Sequence, residues 1–306
     1  MKIIVLGSQG FIGQNLIKSL NQTKHKIFAS GKGKLDLRNY SRVKAYFKKI
    51  KPDAIINCAA HVGSVHYVTK YAADIIYDNV QISLNIYRAA TEICPKARII
   101  NPISNCAYPG DIGFQREEDW LNGPVHESVF AYGNYKRTLY YIAYSYAKQY
   151  GIRSVNLLIP GIYGPYDHTD PNRTHALNGM IIRMTKAQKK GDKKFEIWGT
   201  GKPIREWIYV DDVVKLFTKG LTLKNDLLYP VNLGQGKGYS IKETALIISK
   251  LLNYKGKLVF NTRYQDGAPK KVLSSTRFKK NFPGYHFTNF TLGVKRAITY
   301  YKTILG

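Results

Sequence analysis

Cysteine is scarce in this chain of 306 residues. The three cysteines, Cys58, Cys94 and Cys106, are too few for a disulfide framework and lack the spacing of a metal site. The adjacent acids Asp211 and Asp212 follow a short apolar segment, and we interpret them as a helix cap rather than a metal pair. The sequence therefore predicts a reduced, cytoplasmic protein without a bound metal.

Acidic residues are also scarce. The chain has 20 Asp and Glu against 47 Lys and Arg, which gives a formal net charge of +27. Such an excess suits an anionic partner. The basic residues are spread along the chain, however, and no nucleic-acid-binding motif is visible, so we expect no nucleic-acid partner. A dinucleotide-sensing or nucleic-acid-binding protein without catalysis is a distant alternative.

Long apolar runs are missing. The apolar run at residues 3–6 stops at Gly7, which is too short for a signal peptide, and no later run approaches the roughly 20 residues of a membrane span. We therefore expect no membrane partner. With 44% hydrophobic residues, the chain can still bury a sizeable core.

Short apolar segments alternate with amphipathic ones through the first half of the chain. The periodicity predicts strands at residues 3–6, 26–29, 54–57, 97–101 and 153–159, and helices near 11–20, 40–50, 72–92 and 130–149. Strict alternation of this kind predicts right-handed crossovers and a parallel sheet covered on both faces. The predicted fold class is α/β, with a Rossmann-type doubly wound parallel sheet.

Beyond residue 165 the regular alternation of predicted strands and helices ends. A loop rich in Pro, Gly and His is followed by a helix, by short strands near 195–198 and 229–232, and by a helix that begins at Ser240 with a capping box to Glu243. We expect a cofactor-binding domain at 1–165, to which segments near 205–235 return. Residues 166–306 are expected to form mainly a smaller α/β substrate-binding lid.

Three glycines, Gly7, Gly10 and Gly13, directly follow the first predicted strand and open a helix. Such glycines allow a tight turn, a close approach to a pyrophosphate and close packing of helix on strand. The loop therefore predicts a dinucleotide site, with Phe11 and Ile12 as further contacts. Its G-x-x-G-x-x-G spacing indicates a short-chain-dehydrogenase type of Rossmann domain.

The end of the second strand distinguishes the two nicotinamide cofactors, because an acid there binds the ribose of NAD. This chain has Ser30 and Lys32 and no acid until Asp36, which favours NADP(H) with Ser30 and Lys32 at the 2′-phosphate. Asp36 and Leu37 then border the adenine. The alternative is that the lysine is ordinary surface charge and that the cofactor is NAD.

Tyr132 and Lys136 are four residues apart on a predicted helix and so share one face. There the ammonium can lower the pKa of the phenol and hold the nicotinamide ribose. Ser104, which follows the fourth predicted strand, can bond to the same substrate carbonyl. The three side chains predict a carbonyl-reducing site.

With these motifs the chain resembles the extended short-chain dehydrogenases and, within them, the GDP-L-fucose synthase family, over nearly its whole length. Ser104 with Cys106, His175 in the long loop, and Trp-Gly-x-Gly-x-Pro-x-Arg-Glu at 198–206 narrow the resemblance. The other matching stretches are the glycine loop, 59–63, 73–79, 104–109, Tyr132 with Lys136, 163–165 and 266–271.

The resemblance implies a 3,5-epimerase and 4-reductase of GDP-4-keto-6-deoxy-mannose. It implies that Cys106 and His175 move protons at C3 and C5 of the sugar. It also implies that Tyr132, assisted by Ser104 and Lys136, protonates the C4 oxygen while NADPH supplies hydride. The remaining expected cofactor contacts are Ala59, Pro160, Ile162 and His175.

The substrate diphosphate requires fixed cations. Arg205 and Lys271 match family positions at the substrate, and Arg183 lies on the predicted helix after the His175 loop. We expect Trp198 to stack on the guanine or the sugar and Asp266 to accept hydrogen bonds from a base or sugar hydroxyl.

Some points stay open at this level. Gln9 stands where the family can have a basic residue at the 2′-phosphate. Relatives acting on other NDP-4-keto sugars, including 6-deoxy-heptoses, look much the same, so a 4-reductase or an epimerase of such a sugar is the alternative. Relatives commonly pair helices across a dimer, which makes 72–92 and 130–149 the expected homodimer interface.

Overall fold

The computed structural model of the protein describes residues 1–31 and 33–306. Lys32, expected at the 2′-phosphate, lies outside the described residues. The described chain forms 14 strands and ten α-helices, besides three short 3-10 turns. In chain order these are β1 (Lys2–Leu6), α1 (Phe11–Leu20), β2 (Lys26–Ser30), α2 (Tyr40–Ile50), β3 (Ala54–Asn57), α3 (Val65–Lys70), α4 (Ala72–Ile93), β4 (Arg98–Ser104), β5 (Phe114–Gln115), α5 (Phe130–Tyr150), β6 (Arg153–Ile159), β7 (Gly161–Tyr163), α6 (Ala176–Lys190), β8 (Lys194–Trp198), β9 (Ile204–Arg205), β10 (Trp207–Tyr209), α7 (Val210–Gly220), β11 (Leu227–Asn232), β12 (Tyr239–Ser240), α8 (Ile241–Leu252), β13 (Lys257–Asn261), β14 (Lys270–Leu273), α9 (Thr276–Asn281) and α10 (Phe290–Ile304).

The main sheet has six strands in the order β2-β1-β3-β4-β6-β11, and all of its pairings are parallel. Helices cover both faces. Phe47 of α2, Ile86 of α4 and Leu139 of α5 are buried on one face, and Leu16 of α1 and Phe217 of α7 are buried on the other. The predicted fold class, a doubly wound parallel sheet, is confirmed. In such sheets ligands bind beyond the carboxyl ends of the strands.

The second half of the chain builds a further core from α6, α8 and α10 around the parallel pair β8 and β13. The predicted capping box at the start of α8 is present, with Ser240 and Glu243 satisfying each other's backbone N–H groups. A separate four-stranded sheet in the order β12-β9-β14-β5 links this part to the loop after β4. None of the helices that the structure describes is long and apolar enough to span a membrane.

Strand β4 is longer than the sequence predicted. It continues past residue 101, through Pro102, to Ser104. Its pairing with β3 ends at Ile100, and from there on β4 pairs with β6 alone. A proline lacks the N–H that a central strand needs, so it is tolerated where one neighbour has ended. The longer strand delivers Ser104 to the carboxyl edge of the sheet.

The predicted cap at Asp211 and Asp212 is wrong. Helix α7 begins at Val210, its N-cap is Tyr209, and no side chain caps it. The Asp212 carboxylate instead accepts hydrogen bonds from the Tyr285 hydroxyl and the backbone N–H of Thr288, each at 2.9 Å. Both acids therefore lie in the first turn, where a negative charge suits the helix dipole, and Asp212 also fastens the segment before α10.

Candidate active site

The glycine loop joins β1 to α1 at the carboxyl edge of the sheet. Gly7 has φ of +70°, and the N–H of Gly10 donates to its carbonyl at 3.0 Å. A Cβ at Gly13 would lie 2.2 Å from the same carbonyl oxygen, and a Cβ at Gly7 would lie 2.6 Å from the backbone nitrogen of Ala59. The start of α1 has no side-chain cap. These are the features that let a pyrophosphate approach a helix N-terminus.

The end of β2 lies beside this loop. Ser30 is nearly fully buried, and its carbonyl accepts a hydrogen bond from the N–H of Ser8. A Cβ at Gly31 would stand 2.6 Å from Oε1 of Gln9, so the Gln9 side chain lies directly over Gly31. Gln9 is therefore the side chain that borders the segment expected to receive the 2′-phosphate.

Asp36 and Leu37 follow strand β2 in the chain. The Asp36 carboxylate accepts hydrogen bonds from the Arg38 guanidinium at 3.0 and 3.1 Å, and these bonds lower the pKa of Asp36. Leu37 is buried. Arg38 also contacts Asp78 at 3.3 Å. No role for Arg38 was expected from the sequence. Asp36 and Asp78 are distant from each other in the chain, so no local pattern shows that Arg38 links them.

The other expected cofactor contacts lie around the same end of the sheet. Ile12 is in the first turn of α1, and the Phe11 ring lies 5.2 Å from the ring of His175. Pro160 separates β6 from β7, and Ile162 is buried within β7. Ala59 lies directly against the glycine loop, since a Cβ at Gly7 would meet its backbone.

Ser104, Tyr132 and Lys136 come from β4 and α5. The Ser104 hydroxyl accepts a hydrogen bond from the N–H of Cys106 at 3.2 Å. Lys136 lies one turn after Tyr132 with its Nζ 5.4 Å from the centroid of the Tyr132 ring, and that Nζ donates to the carbonyl of Pro102 at 2.7 Å. The helix therefore holds the phenol and the ammonium on one face, as their spacing predicted.

One electrostatic expectation is wrong. Burial raises the pKa of Tyr132 well above its ordinary value, with smaller contributions from Tyr135 and Cys106, so the ammonium does not lower it. Burial also lowers the pKa of Lys136 to about 7. The cause is the same for both groups, because a low-dielectric site disfavours whichever form is charged.

Cys106 occupies a 3-10 turn immediately after β4 and is partly exposed. A Cβ at Gly133 would lie 2.5 Å from the Cys106 carbonyl oxygen, so α5 packs against this turn as closely as a glycine permits. A thiolate at Cys106 would be close enough to act on the pKa of Tyr132, of Lys136 and of Arg205. The thiol therefore lies among the groups expected to reduce the substrate and a cation expected to bind it.

His175 is the N-cap residue of α6 and does not cap the helix with its side chain. Its Nδ1 lies 3.1 Å from both carboxylate oxygens of Asp167. Sequence reasoning missed Asp167, because an acid eight residues before a histidine in a loop matches no periodic pattern. A tilted contact with the Phe11 ring, whose centroid is 5.2 Å away, places His175 at the glycine-loop end of the site.

Arg205 and Lys271 are register partners on the adjacent strands β9 and β14. Paired residues in a sheet project to the same face, so the two cations form one basic surface. Burial lowers the pKa of Arg205, and the charges of Cys106 and Asp266 oppose that effect. A Cβ at Gly267 would lie 3.3 Å from the Arg205 guanidinium, which shows how closely the loop before β14 approaches.

An aromatic surface adjoins these cations. Trp198 stacks on Tyr264 with ring centroids 4.9 Å apart and planes at 22°, and both rings are about half exposed. The Arg183 guanidinium lies 4.9 Å from the Trp198 centroid. Asp266 accepts hydrogen bonds from the N–H of Thr200 at 3.0 Å and from its hydroxyl. The sequence did not predict a role for Tyr264, because its stacking partner Trp198 is 66 residues away in the chain.

No group of three or more His, Cys, Asp or Glu within residues 1–31 and 33–306 is arranged to hold a metal ion. The doubly wound sheet, the glycine loop and the Ser104, Tyr132 and Lys136 side chains define a short-chain-dehydrogenase type of oxidoreductase. The chain belongs to the NAD dependent epimerase/dehydratase family, whose model matches residues 3–234.

Relatives with assigned names cover nearly the whole chain. It is 29% identical to a GDP-L-fucose synthase of Dictyostelium discoideum, over 98% of this chain and 94% of the relative. The crystal structure of a GDP-L-fucose synthetase from Naegleria fowleri bound to NADP is 27% identical with a TM-score of 0.89, covering 99% and 93% of the two chains. A GDP-mannoheptose C4 reductase from Campylobacter jejuni with NADP bound is 25% identical with a TM-score of 0.86, covering 98% of each chain. The resemblance to the GDP-L-fucose synthase family is confirmed.

Proposed function

We propose that the protein is an NADPH-dependent 3,5-epimerase and 4-reductase that converts a GDP-4-keto-6-deoxy-hexose into GDP-L-fucose or a close analogue. The observation that carries the proposal is the position of Cys106. Its backbone N–H donates to the hydroxyl of Ser104, its carbonyl oxygen lies against Gly133 beside Tyr132, and a thiolate there would be close enough to act on the pKa of Arg205. A proton carrier is thus close both to the reducing groups and to a candidate substrate cation.

The glycine loop fits a dinucleotide. Gly7 and Gly13 have no Cβ, and a Cβ at either position would clash with the backbone that forms the loop. Gly7, Gly10 and Gly13 would hold the pyrophosphate, and Lys136 and Tyr132 would hold the nicotinamide ribose. When bound, NADPH supplies the hydride that reduces the C4 carbonyl.

Epimerisation falls to Cys106 and His175. The 4-keto group acidifies the protons on C3 and C5 of the sugar, so a base removes one of them and leaves an enolate. An acid then returns a proton to the opposite face, which inverts the centre. A thiol and an imidazole suit these roles because each exchanges protons near neutral pH.

Reduction requires a proton for the C4 oxygen. The raised pKa of Tyr132 keeps its phenol protonated, so it is available as the acid. Ser104, at the end of β4, donates a hydrogen bond to the same oxygen. The Ser104 hydroxyl accepts from Cys106 N–H in this structure, which leaves its own proton for the substrate.

The substrate diphosphate is assigned to Arg205 and Lys271, which share one face of their strand pair. Arg183, Trp198 and Asp266 are assigned to the nucleotide, and Tyr264 enlarges the aromatic surface that Trp198 offers to the base. The proposed division has a cofactor domain at 1–165, joined by segments near 205–235, and a mainly substrate-binding domain at 166–306. The parallel pairing of β11 with β6 supports that return.

A homodimer is part of the proposal, with α4 and α5 as its interface. Large aromatic side chains on both helices point to solvent, among them Tyr77, which is 69% exposed, and Tyr141, which is 52% exposed. We propose that these side chains belong to one apolar patch, which would mark an interaction surface. A reduced, cytoplasmic location without nucleic-acid or membrane partners also belongs to the proposal, since the thiol of Cys106 has to stay free.

A C4 reductase of a GDP-heptose is the second candidate. The structural likeness to the Campylobacter GDP-mannoheptose C4 reductase, over 98% of each chain, favours it. Such an enzyme would reduce its substrate without exchanging the C3 and C5 protons.

One incubation tests both functions. The purified protein is given GDP-4-keto-6-deoxy-mannose and NADPH in deuterated buffer, and NADPH oxidation and deuterium at C3 and C5 are measured. We expect both. Reduction without deuterium would favour the second candidate, tested in parallel with a GDP-4-keto-heptose. Neither NADPH oxidation nor deuterium incorporation with either sugar would reject the proposal.

A further inference from the structure

Asp167 contacts His175, an expected active-site residue. The side chain of Asp167 has no exposed surface. Its two carboxylate oxygens both lie 3.1 Å from Nδ1 of His175, and one of them accepts the backbone N–H of His175 at 2.9 Å. The carboxylate therefore fixes the imidazole ring and the backbone of the same residue.

The carboxylate is itself held in place. Nδ2 of Asn178, one turn into α6, donates to it at 2.8 Å, and Oδ1 of Asn178 accepts the N–H of Gly164 at 3.0 Å. Burial alone would raise the pKa of Asp167, but the charge and hydrogen bonds of His175 and the bond from Asn178 outweigh it and lower that pKa. Asp167 is therefore a rigidly placed anion.

The consequence for His175 is a fixed tautomer. An anion that faces Nδ1 can only accept, so Nδ1 carries a proton and Nε2 of the neutral ring has a free lone pair. The His175 side chain is 41% exposed, and its ring lies against Phe11 at the glycine-loop end of the site.

We infer that Asp167 is a positioning residue for the epimerisation: it holds Nδ1–H of His175 so that Nε2 is the atom through which His175 accepts or donates its proton at C3 and C5, while Cys106 acts on the opposite face. The inference rests on the proposed function, because that function gives His175 its proton-transfer role. A carboxylate that sets the tautomer of a histidine base performs the same task in hydrolase triads.

Asp167→Asn tests this assignment. The amide nearly preserves the shape of the carboxylate, but its NH2 group can donate to Nδ1 and thereby place the proton of His175 on Nε2. We expect deuterium exchange at C3 and C5 to slow at least about tenfold in kcat, with the KM for NADPH unchanged. Asp170→Asn is the matched control, because Asp170 lies in the same loop and its carboxylate accepts a local backbone bond from Asn172, while its other hydrogen bonds are made by its backbone carbonyl, which the substitution keeps.

The double variant separates positioning from mere loop support. If Asp167 acts through His175, then Asp167→Asn lowers exchange in the natural protein but adds nothing to His175→Gln. Equal losses in both backgrounds, or exchange by Asp167→Asn at the natural rate, would overturn the inference. If the natural protein exchanges no deuterium at all, the proposed function fails instead.

A measurement on the natural protein covers the case in which Asp167→Asn does not fold. Nitrogen NMR of protein labelled in its histidines reports the tautomer of each ring, and the His175 signal is assigned from its absence in His175→Gln. We expect a protonated Nδ1 and an unprotonated Nε2. The opposite tautomer would overturn the inference whatever the activity shows.

Discussion

Nζ of Lys136 donates a 2.7 Å hydrogen bond to the carbonyl of Pro102 and so fastens helix α5 to strand β4. Lys136 lies one turn after Tyr132, and Pro102 lies two residues before Ser104. This bond and the close packing of Gly133 on the Cys106 carbonyl both hold the helix of Tyr132 beside the strand end that carries Ser104. Burying the ammonium of Lys136 also costs folding free energy, and this cost can be measured.

Burial of Lys136 makes stability depend on pH. Its pKa is about 7 in the folded chain against 10.5 for an ordinary lysine, so between these values the unfolded chain binds one proton more. The free energy of unfolding contributed by this group therefore rises as pH increases from about 7 towards 10.5. We expect Lys136→Met to remove that rise in urea unfolding measured across the interval. Lys148→Met, at an exposed lysine of the same helix, should leave it in place, and an unchanged pH slope in Lys136→Met would contradict the assignment.

Reduction and proton exchange should separate by mutation. Tyr132→Phe removes the proton for the C4 oxygen but leaves Cys106 and His175, so NADPH oxidation should fall by about two orders of magnitude or more while deuterium still enters C3 and C5. Cys106→Ser should lose exchange first. Tyr144→Phe, at an exposed tyrosine of α5, controls for the substitution. Reduction by Tyr132→Phe at the natural rate would show that another group supplies the proton.

Gln9→Arg should strengthen the preference for NADPH. The Gln9 side chain lies over Gly31, next to the segment expected to receive the 2′-phosphate, so a guanidinium there can pair with that phosphate. A charged hydrogen bond is worth about 1.5–3 kcal/mol, so the KM for NADPH should fall by roughly 10- to 150-fold while that for NADH stays constant. Gln22→Arg, at an exposed residue just beyond α1, controls for added charge. An equal improvement with NADH would place the 2′-phosphate elsewhere.

Much of the fold was predictable because its signals are local. Helices 11–20 and 40–50 and strands 54–57 and 153–159 have their predicted bounds. For example, α1 begins after Gly10, and α2 is capped by the Asn39 side chain. The sequence predicted too short a strand β4, because a proline usually ends a central strand. Pro102 is tolerated within β4 because the pairing with β3 has already ended.

The site was less predictable because its remaining features depend on contacts distant in the chain. Ser104 and Cys106 could be placed from the end of a strand. Asp167 and Tyr264 could not, since each acts through a loop contact with no periodicity. The raised pKa of Tyr132 could not be foreseen either, because burial depends on how β4, α5 and the turn at Cys106 pack together.

The proposed dimer predicts that one charge on α5 will prevent association. Tyr141 is 52% exposed on α5, and Tyr77 is 69% exposed on α4. Tyr141→Asp should sediment as a monomer at concentrations where the natural protein is a dimer, because a carboxylate would be buried without a partner. Leu246→Asp, at a half-exposed leucine of α8, should leave the dimer intact. A monomeric natural protein would contradict the interface outright.

Tyr264 should contribute to nucleotide binding. It stacks on Trp198 at 4.9 Å, and Asp266 and Gly267, which lie beside Thr200 and Arg205, follow it within three residues. An aromatic pair so close to a proposed diphosphate site is suited to a planar base, and such stacking is worth about 1–3 kcal/mol per base. Tyr264→Ala should therefore weaken GDP binding in calorimetric titration by roughly 5- to 150-fold, while Tyr264→Phe should bind as the natural protein does.

Tyr150→Ala is the matched control for this substitution. Tyr150 is also half exposed and also lies against another ring, that of Tyr146, with centroids 5.6 Å apart, but it stands at the end of α5. If both alanine variants weaken GDP binding alike, the effect is not one of base stacking. If Tyr264→Ala binds GDP as tightly as the natural protein, the base rests elsewhere and the aromatic pair serves only to hold the loop before β14. Unchanged NADPH binding in Tyr264→Ala would show that the effect is confined to the substrate nucleotide, since the glycine loop is built from β1 and α1 and does not include this loop.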